Sequence, residues 1–443
     1  MAQAGAGALT THYRNLQKEW KVTSSETYRR LVVPNGNAST PFHRWFHLKE
    51  AYSSQLFAQL VADSGFKTKD PLRVFDPYSG SGTTLLSALD FSADKNIPSD
   101  VRGVERNPFL WELSNAKVLG RISGREAAKS FQVALESVEK IFRDLRNSPL
   151  QVPEQATLRN EAYFPRENVE DLIAIRLAID ACSEGLTRSL LRVCVAASVE
   201  ACGRLRRDGR ALRFVPNRQP RTAWSAFSER AAAVLQDMEV SEPLEGSGTV
   251  ILGDGREGSR GTGEYDWIVF SPPYPNNIDY TEVYKTEAWV LGCYESPDDM
   301  KAQRQLTVRS HPSIRFNQGY SYLSTDVSEE VDAVIDPIIA AIPDDRYRSG
   351  RIEVVKGYAD DMFRTLKSCR RSIAPKGHLV FIVGNSAHGA GDDSFIIAAD
   401  VVMGALAELV GWRVAELRVA RELIRRNADS EFLRESVVVL EPV

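Results

Sequence analysis

Three acids and one glycine loop stand where hydrophobic runs end. The stretch "VFDPYSGSGTT" places Asp76 at the close of an apolar run, with Gly80 and Gly82 just before a helix-like segment opening near Thr83. Glycines there permit a tight turn and a close approach of backbone to ligand. The N–H groups at the following helix start favour a carboxylate or a phosphate. "GVERN" ends the next run on Glu105, where a carboxylate can accept from both hydroxyls of a ribose. "LGDG" ends another on Asp254, in a place to accept from an adenine amino group. Each acid taken singly reads as an ordinary solvated turn residue. Three of them at strand ends beside a glycine loop point to a nucleoside-containing cofactor. The dinucleotide fingerprint fails, because Leu85 holds the third glycine's place, and no Gly-Lys-Ser/Thr is present to make a P-loop.

A second chemical signal lies in "YDWIVFSPPYPNNIDYTEVYK", Tyr265 to Lys285. Pro272 and Pro273 have no N–H to donate, so the strand must end at Phe270 or Ser271. A stiff Ser-Pro-Pro-Tyr then stands beyond a strand's carboxyl end, where open α/β sheets bind ligands. Asn276, Asn277, Asp279, Tyr280 and Lys285 come directly after it. They either shape a pocket or cap the next helix, as Asn and Asp often do.

The elements that position these residues alternate strand-like runs with helical patterns, the mark of a parallel sheet with crossover helices. The runs are "LRVFD", "VRGVERN", "TVILGD", "WIVF" and "HLVFIVGNS", closed by "WRVAELRVA" and "ESVVVLEPV". The expected fold is α/β and Rossmann-like, with a seven-stranded, mostly parallel sheet and helices on both faces. Residues 1–123 supply an N-terminal segment and the cofactor half of the catalytic domain. Residues 124–245 read as a helical insertion, and 246–443 as the second catalytic half. Within that half, 296–352 is polar and reads as irregular.

At 443 residues, 43% hydrophobic and 26% charged, the chain has the composition of a soluble globular protein with a sizeable core. Its five cysteines lack Cys-x-x-Cys spacing and read as reduced thiols, with no metal site. The start "MAQAGAGALTTHYR" has no signal-peptide core, and "FIIAADVVMGALAELVGW" carries Asp400 and Glu408. That stretch reads as a helix packed on the sheet and not as a membrane span, so the expected compartment is the cytoplasm.

"DPYSGSGTT" paired with "SPPY" resembles the amino-group DNA methyltransferases that use S-adenosylmethionine. That family carries an Asp-Pro-Phe-x-Gly-x-Gly-Thr-Thr loop and an (Asp/Asn/Ser)-Pro-Pro-(Tyr/Phe/Trp) motif; here Tyr78 replaces the usual Phe. "PFHRWFHLKEAYSSQL" looks like the segment that covers the methionine end of the cofactor, and "FLRESVVVL" like the closing strand. The likeness covers about 40–120 and 246–443 and leaves the helical insertion unexplained. By this resemblance the cofactor meets Asp76, Pro77, Tyr78, Gly80, Gly82, Thr83, Glu105 and Asp254. Ser271, Pro272, Pro273 and Tyr274 form the catalytic turn that meets the target base. Ser at the first motif position is found mostly in cytosine-N4 enzymes, with adenine-N6 left open. A cytosine-C5 enzyme needs a Pro-Cys nucleophile, which this chain lacks.

Net charge is −4, so contact with nucleic acid requires a local basic patch. "RLRRDGRALRFVPNRQPR" supplies one: Arg204, Arg206, Arg207, Arg210 and Arg213 are the expected phosphate contacts, with Arg218 and Arg221 beyond them. A solvated helix end and loop is the plainer reading of the same cluster. Arg421, Arg425 and Arg426 form a second cluster before the closing strand. The expected partners are duplex DNA with a flipped base and a cognate restriction nuclease or defence protein. Two other functions stay open: an RNA amino-group (guanine-N2) methyltransferase, and a catalytically idle relative that only binds nucleic acid.

Overall fold

The computed structural model describes residues 2–67, 71–146, 148–208, 211–258, 264–276, 278–312, 314, 316, 318–389, 394–424 and 430–443. Arg210, Asn277, Arg425 and Arg426 lie outside the described residues.

Eight strands form the main sheet: β1 (Val22–Ser24), β2 (Leu72–Asp76), β3 (Ser99–Glu105), β4 (Gly246–Leu252), β5 (Tyr265–Phe270), β6 (Ile373–Gly384), β7 (Trp412–Glu422) and β8 (Arg434–Pro442). Their order is β1-β7-β8-β6-β5-β2-β3-β4. All neighbours run parallel except β8, which lies antiparallel to both β6 and β7. The fold is Rossmann-like α/β, and the seven anticipated strands are present. The eighth, β1, is a three-residue edge strand too short to show a period.

Alternation along the central strands explains why helices cover both faces. Trp267 and Val269 of β5 face one layer, while Ile268 and Phe270 face the other. Every residue of β5 is buried, which gives the near-continuous apolar run of a doubly covered parallel strand. Helices Leu56–Ser64 and Thr83–Lys95 pack on the first face. Ala2–Leu16, Ser328–Ala341, Arg348–Arg370 and Ala399–Glu408 pack on the second. The last of these is the apolar stretch read as a sheet-packed helix. No helix among the described residues is long and apolar enough to cross a membrane.

Helices Arg125–Leu145, Arg166–Cys182, Gly185–Val199 and Ala223–Glu239 form a further layer. Ala127, Phe131, Ala134, Val138 and Phe142 line one face of the first, the spacing of an amphipathic helix. Their core runs without a break into Phe109, Leu113 and Ala116 of helix Pro108–Ser123 and into Trp289.

Two readings differ from the structure. The segment 296–352 is more ordered than its polarity suggested. Helix Pro297–Gln305 is opened by a Ser296–Asp299 capping box, and Ser328–Ala341 is helical despite Pro337. Burial of Val331, Val334, Ile335 and Ile338 on one face outweighs the backbone bond lost at that proline. The arginine cluster, for which a helix end and loop is the plainer alternative to phosphate contact, forms a hairpin of Leu205–Asp208 with Ala211–Phe214, pairing Arg206 with Arg213.

Candidate active site

The sheet order reverses between β2 and β5, and ligands settle in the crevice outside such a switch point. A cavity of about 320 Å³ opens there. Asp76, Pro77, Tyr78, Gly80, Thr83, Glu105 and Asp254 line one part of it, and Ser271, Pro272, Pro273 and Tyr274 another. Motifs far apart in the chain thus share one space. Gly82 is the exception among the anticipated cofactor residues. It caps helix Thr83–Lys95 with φ of 81°, and a Cβ there would meet Ser114. Its place serves helix packing.

Asp76 and Glu105 are each held by backbone amides of the turns that leave their strands. Asp76 accepts from the Tyr78 amide at 2.8 Å and from the Thr84 hydroxyl at 2.5 Å. Glu105 accepts from the Gly80 amide and the Asn107 amide, each at 2.8 Å. Gly80 has φ of 52°, so the loop turns its N–H onto the neighbouring strand's carboxylate. Burial pushes both carboxyls up to about 7, against the hydrogen bonds that favour their ionised forms.

Asp254 differs. Burial acts to raise its pKa, but Arg256, donating at 2.8 Å to Oδ1 and 2.7 Å to Oδ2, holds it below the usual carboxylate range. Arg256 also donates to Asp361 at 2.9 Å. Asp361 accepts from Arg309 at 2.7 Å, and Arg309 reaches Asp360 at 2.5 Å. Arg309, Asp360 and Asp361 are at most 1% exposed. This chain of charges ties the acid at the end of β4 to Leu306 and Val308, which also line the cavity.

The Ser271 hydroxyl lies 3.0 Å from the Ile382 carbonyl and 3.2 Å from the Tyr274 hydroxyl. Tyr274 donates to Glu435 at 2.9 Å, and Arg421 donates to the other oxygen of Glu435 at 2.6 Å. A Cβ on Gly384 would stand 2.9 Å from the Tyr274 ring, so the bare backbone of β6 seats that ring. Opposite, Lys49, Glu50, Ala51 and Tyr52 bring the segment "PFHRWFHLKEAYSSQL" into the cavity wall.

Sequence reasoning missed Tyr52, Thr84, Arg256, Arg309, Asp361 and Glu435. A signal existed for the last: Arg434 and Glu435 open an otherwise apolar strand, and both are buried. Adjacent acids in the apolar face of "YADDMF" are a similar sign.

The arginines divide. Arg206 and Arg213 are exposed, and Arg213 lies 3.8 Å from Asp208. Half-buried Arg204 donates to the Glu161 carbonyl. Arg207 departs from the expectation of a phosphate contact. Strand alternation turns it inward, where it bonds Glu287 at 2.5 Å and stacks 4.3 Å above the Tyr284 ring. At 5% exposure its guanidinium does not reach the surface.

No protein-family model matches the chain. Curated relatives do. Type II methyltransferase M.AvaI of Nostoc sp. is 24% identical over 423 residues, covering 88% of this chain and 83% of that protein. Type II methyltransferase M.BsoBI of Geobacillus stearothermophilus is 22% identical, covering 95% and 89%. Over most of its length this chain is thus similar to named Type II methyltransferases. Among solved structures, the rRNA methyltransferase AviRa of Streptomyces viridochromogenes aligns at 9% identity and a TM-score of 0.28, covering 95% of this chain and 96% of that one.

The residues that line the cavity fit S-adenosylmethionine, the cofactor that the sequence resemblance implies. The cavity's volume lies in the range of small-molecule sites. Three carboxyl groups in its lining, those of Asp76, Glu105 and Asp254, can accept from the hydroxyl and amino groups of a nucleoside.

Proposed function

We propose that the protein is the DNA methyltransferase of a restriction-modification pair, and that it methylates the exocyclic N4 of a flipped cytosine. The observation that carries this reading is the convergence of the acid-lined glycine loop and the Ser-Pro-Pro-Tyr turn on one cavity, at the ends of adjacent parallel strands. The relatives' names favour the DNA reading over the RNA one. A nuclease that cuts the same sequence unmethylated is the partner it implies.

S-adenosylmethionine, when bound, supplies an electrophilic methyl group on a sulfonium. The residues Asp76, Pro77, Tyr78, Gly80, Thr83, Glu105 and Asp254 would hold it. The chain's remaining task is to orient the amine. A conjugated amino nitrogen is a poor nucleophile because its lone pair spreads into the ring. Acceptors at the Ser271 hydroxyl and the Pro272 carbonyl draw on the amino hydrogens and free that lone pair. The two prolines fix the carbonyl's direction. The Tyr274 ring, seated on Gly384 and anchored through Glu435, presents a flat face on which an extruded base stacks. Positioning of this kind is the main catalytic contribution available where no covalent intermediate forms. Arg206 and Arg213 on the hairpin, with Arg204 beside them, are the proposed phosphate contacts.

The test is methyl transfer from labelled S-adenosylmethionine to unmethylated genomic DNA and, in parallel, to total RNA, with nucleosides identified by mass spectrometry. N4-methylcytosine from DNA is the expected product. N6-methyladenine would move the base assignment, and label in RNA alone would refute the DNA reading. Bound cofactor with no label in either would mean an idle relative.

A further inference from the structure

The amine clamp by itself does not choose between bases. Cytosine and adenine both carry an amino group beside a ring-nitrogen acceptor, N3 in one and N1 in the other. The difference lies one atom further along. Beyond N3, cytosine has the O2 acceptor, whereas adenine has beyond N1 a C2–H that accepts nothing. A residue that presents two parallel donors at that edge would separate them.

Such a residue stands at the clamp. Arg421, Glu435 and Gly384 form a cross-strand row on β7, β8 and β6, paired residue to residue. Tyr274 lies over the row, with its ring on Gly384 and its hydroxyl on Glu435. A bulge between Val419 and Arg421 breaks the β7 register just before the arginine, a device that re-aims side chains beside functional sites. Arg421 lines the same cavity as Ser271 and Tyr274, with its side chain 37% exposed. Its Nε is committed to Glu435, whose side chain is 6% exposed. Among the described residues, neither terminal nitrogen of Arg421 has an acceptor. A buried carboxylate therefore holds the guanidinium through Nε and leaves its two terminal nitrogens uncommitted at the cavity's edge.

We propose that Arg421 reads the Watson–Crick edge of the flipped base, donating its fork to N3 and O2 of cytosine, and that Glu435 is its positioning residue. This rests on the methyltransferase reading above. The guanidinium is planar and matches two adjacent acceptors, which an ammonium does not. Against adenine, one of its donors faces C2–H and stays unpaired. A well-formed two-point contact of this sort discriminates between bases by roughly 10- to 100-fold.

The experiment uses a duplex carrying the site mapped on methylated genomic DNA, with the target base as cytosine or as a neutral, carbon-linked 2-aminopyridine nucleoside, which keeps the amine and its neighbouring ring nitrogen but lacks O2. Wild-type protein should lose roughly 10- to 100-fold in kcat/KM on the analogue. Arg421→Gln should be slower on cytosine and indifferent to the change. Arg421→Lys, which keeps a charge opposite Glu435, should lose the discrimination as well. A merely structural arginine would lower both substrates equally and leave the ratio untouched. Wild type indifferent to O2, or a variant that retains the full ratio, overturns the proposal while leaving DNA methylation standing. N6-methyladenine as the wild-type product overturns it too. DNA that takes no methyl group at all from wild type overturns the underlying reading with it.

Discussion

Replacing Asp361 by alanine tests whether the buried charges behind Asp254 set the shape of the cofactor cleft. Asp361 accepts from Arg256 and from both the amide and the guanidinium of Arg309. Removing one partner of a buried ion pair costs about 3–5 kcal/mol, because the charge left behind is not rehydrated. Here each arginine keeps a second acid, Arg256 with Asp254 and Arg309 with Asp360, which puts the cost near the lower end. Unfolding entropy near 2.1 cal/mol/K per residue gives roughly 0.9 kcal/mol/K for 443 residues unfolding together. The melting temperature should then fall by about 3–4 °C. Arg256 also loses the support that holds it square to Asp254, so cofactor affinity by calorimetry should weaken several-fold. Asp361→Asn, which keeps the shape and one acceptor, should fall between. Glu242→Ala breaks an ion pair whose partners are 60% and 69% exposed, and should shift melting by less than about 1 °C. An Asp361→Ala protein with unchanged melting and unchanged cofactor affinity would refute the reasoning.

The site and the arginine hairpin carry five further expectations. Asp76 and Glu105 hold their protons up to about 7 in the fold but lose them near 4 when unfolded. The folded state thus binds more protons between about 4 and 7, and cofactor-free stability should fall as pH rises through that window. Cofactor affinity should instead rise from about pH 6 to 8 with proton release, because Glu105 must ionise to accept two hydroxyls. An affinity that stays flat across this pH range, or a binding enthalpy that does not change with the buffer's ionisation enthalpy, would count against it. Ser271→Ala and Tyr274→Ala should each cut methyl transfer while leaving cofactor affinity within about twofold, and full activity in Tyr274→Ala would remove the stacking role. Arg206→Ala with Arg213→Ala should weaken DNA binding and flatten its salt dependence by about two phosphate contacts. Arg207→Ala should lower the melting temperature, since it strands Glu287.

The strand ends were legible because local chemistry marks them. Glycines that must take positive φ, prolines that cannot pair and acids after apolar runs each announce a boundary within a few residues. Thus Asp76, Glu105, Asp254 and Ser271 could each be placed at a strand end from their sequence neighbours, while the family resemblance joined them in one site. Their supports were not legible, because each depends on pairing across the chain. Arg256 meets Asp361 and Tyr274 meets Glu435 at separations of more than a hundred residues, and no spacing rule links them. The arginine cluster failed for a related reason. Composition counted seven basic residues, but only the two-residue alternation of a hairpin decides which point inward, and Arg207 does. Helix Ser328–Ala341 was hidden by a proline that its buried face overrides.

The helical layer shares its hydrophobic core with the helix that starts after Asn107 and with Trp289 beyond the Ser-Pro-Pro-Tyr turn. It is therefore no detachable cassette. A chimera that exchanged 124–245 for a relative's segment would cut through packed side chains at Phe109, Leu113 and Trp289, where the seam is buried and apolar. Shuffling that altered this layer would have to carry compensating changes in the catalytic half, so variation in one should be inherited together with variation in the other.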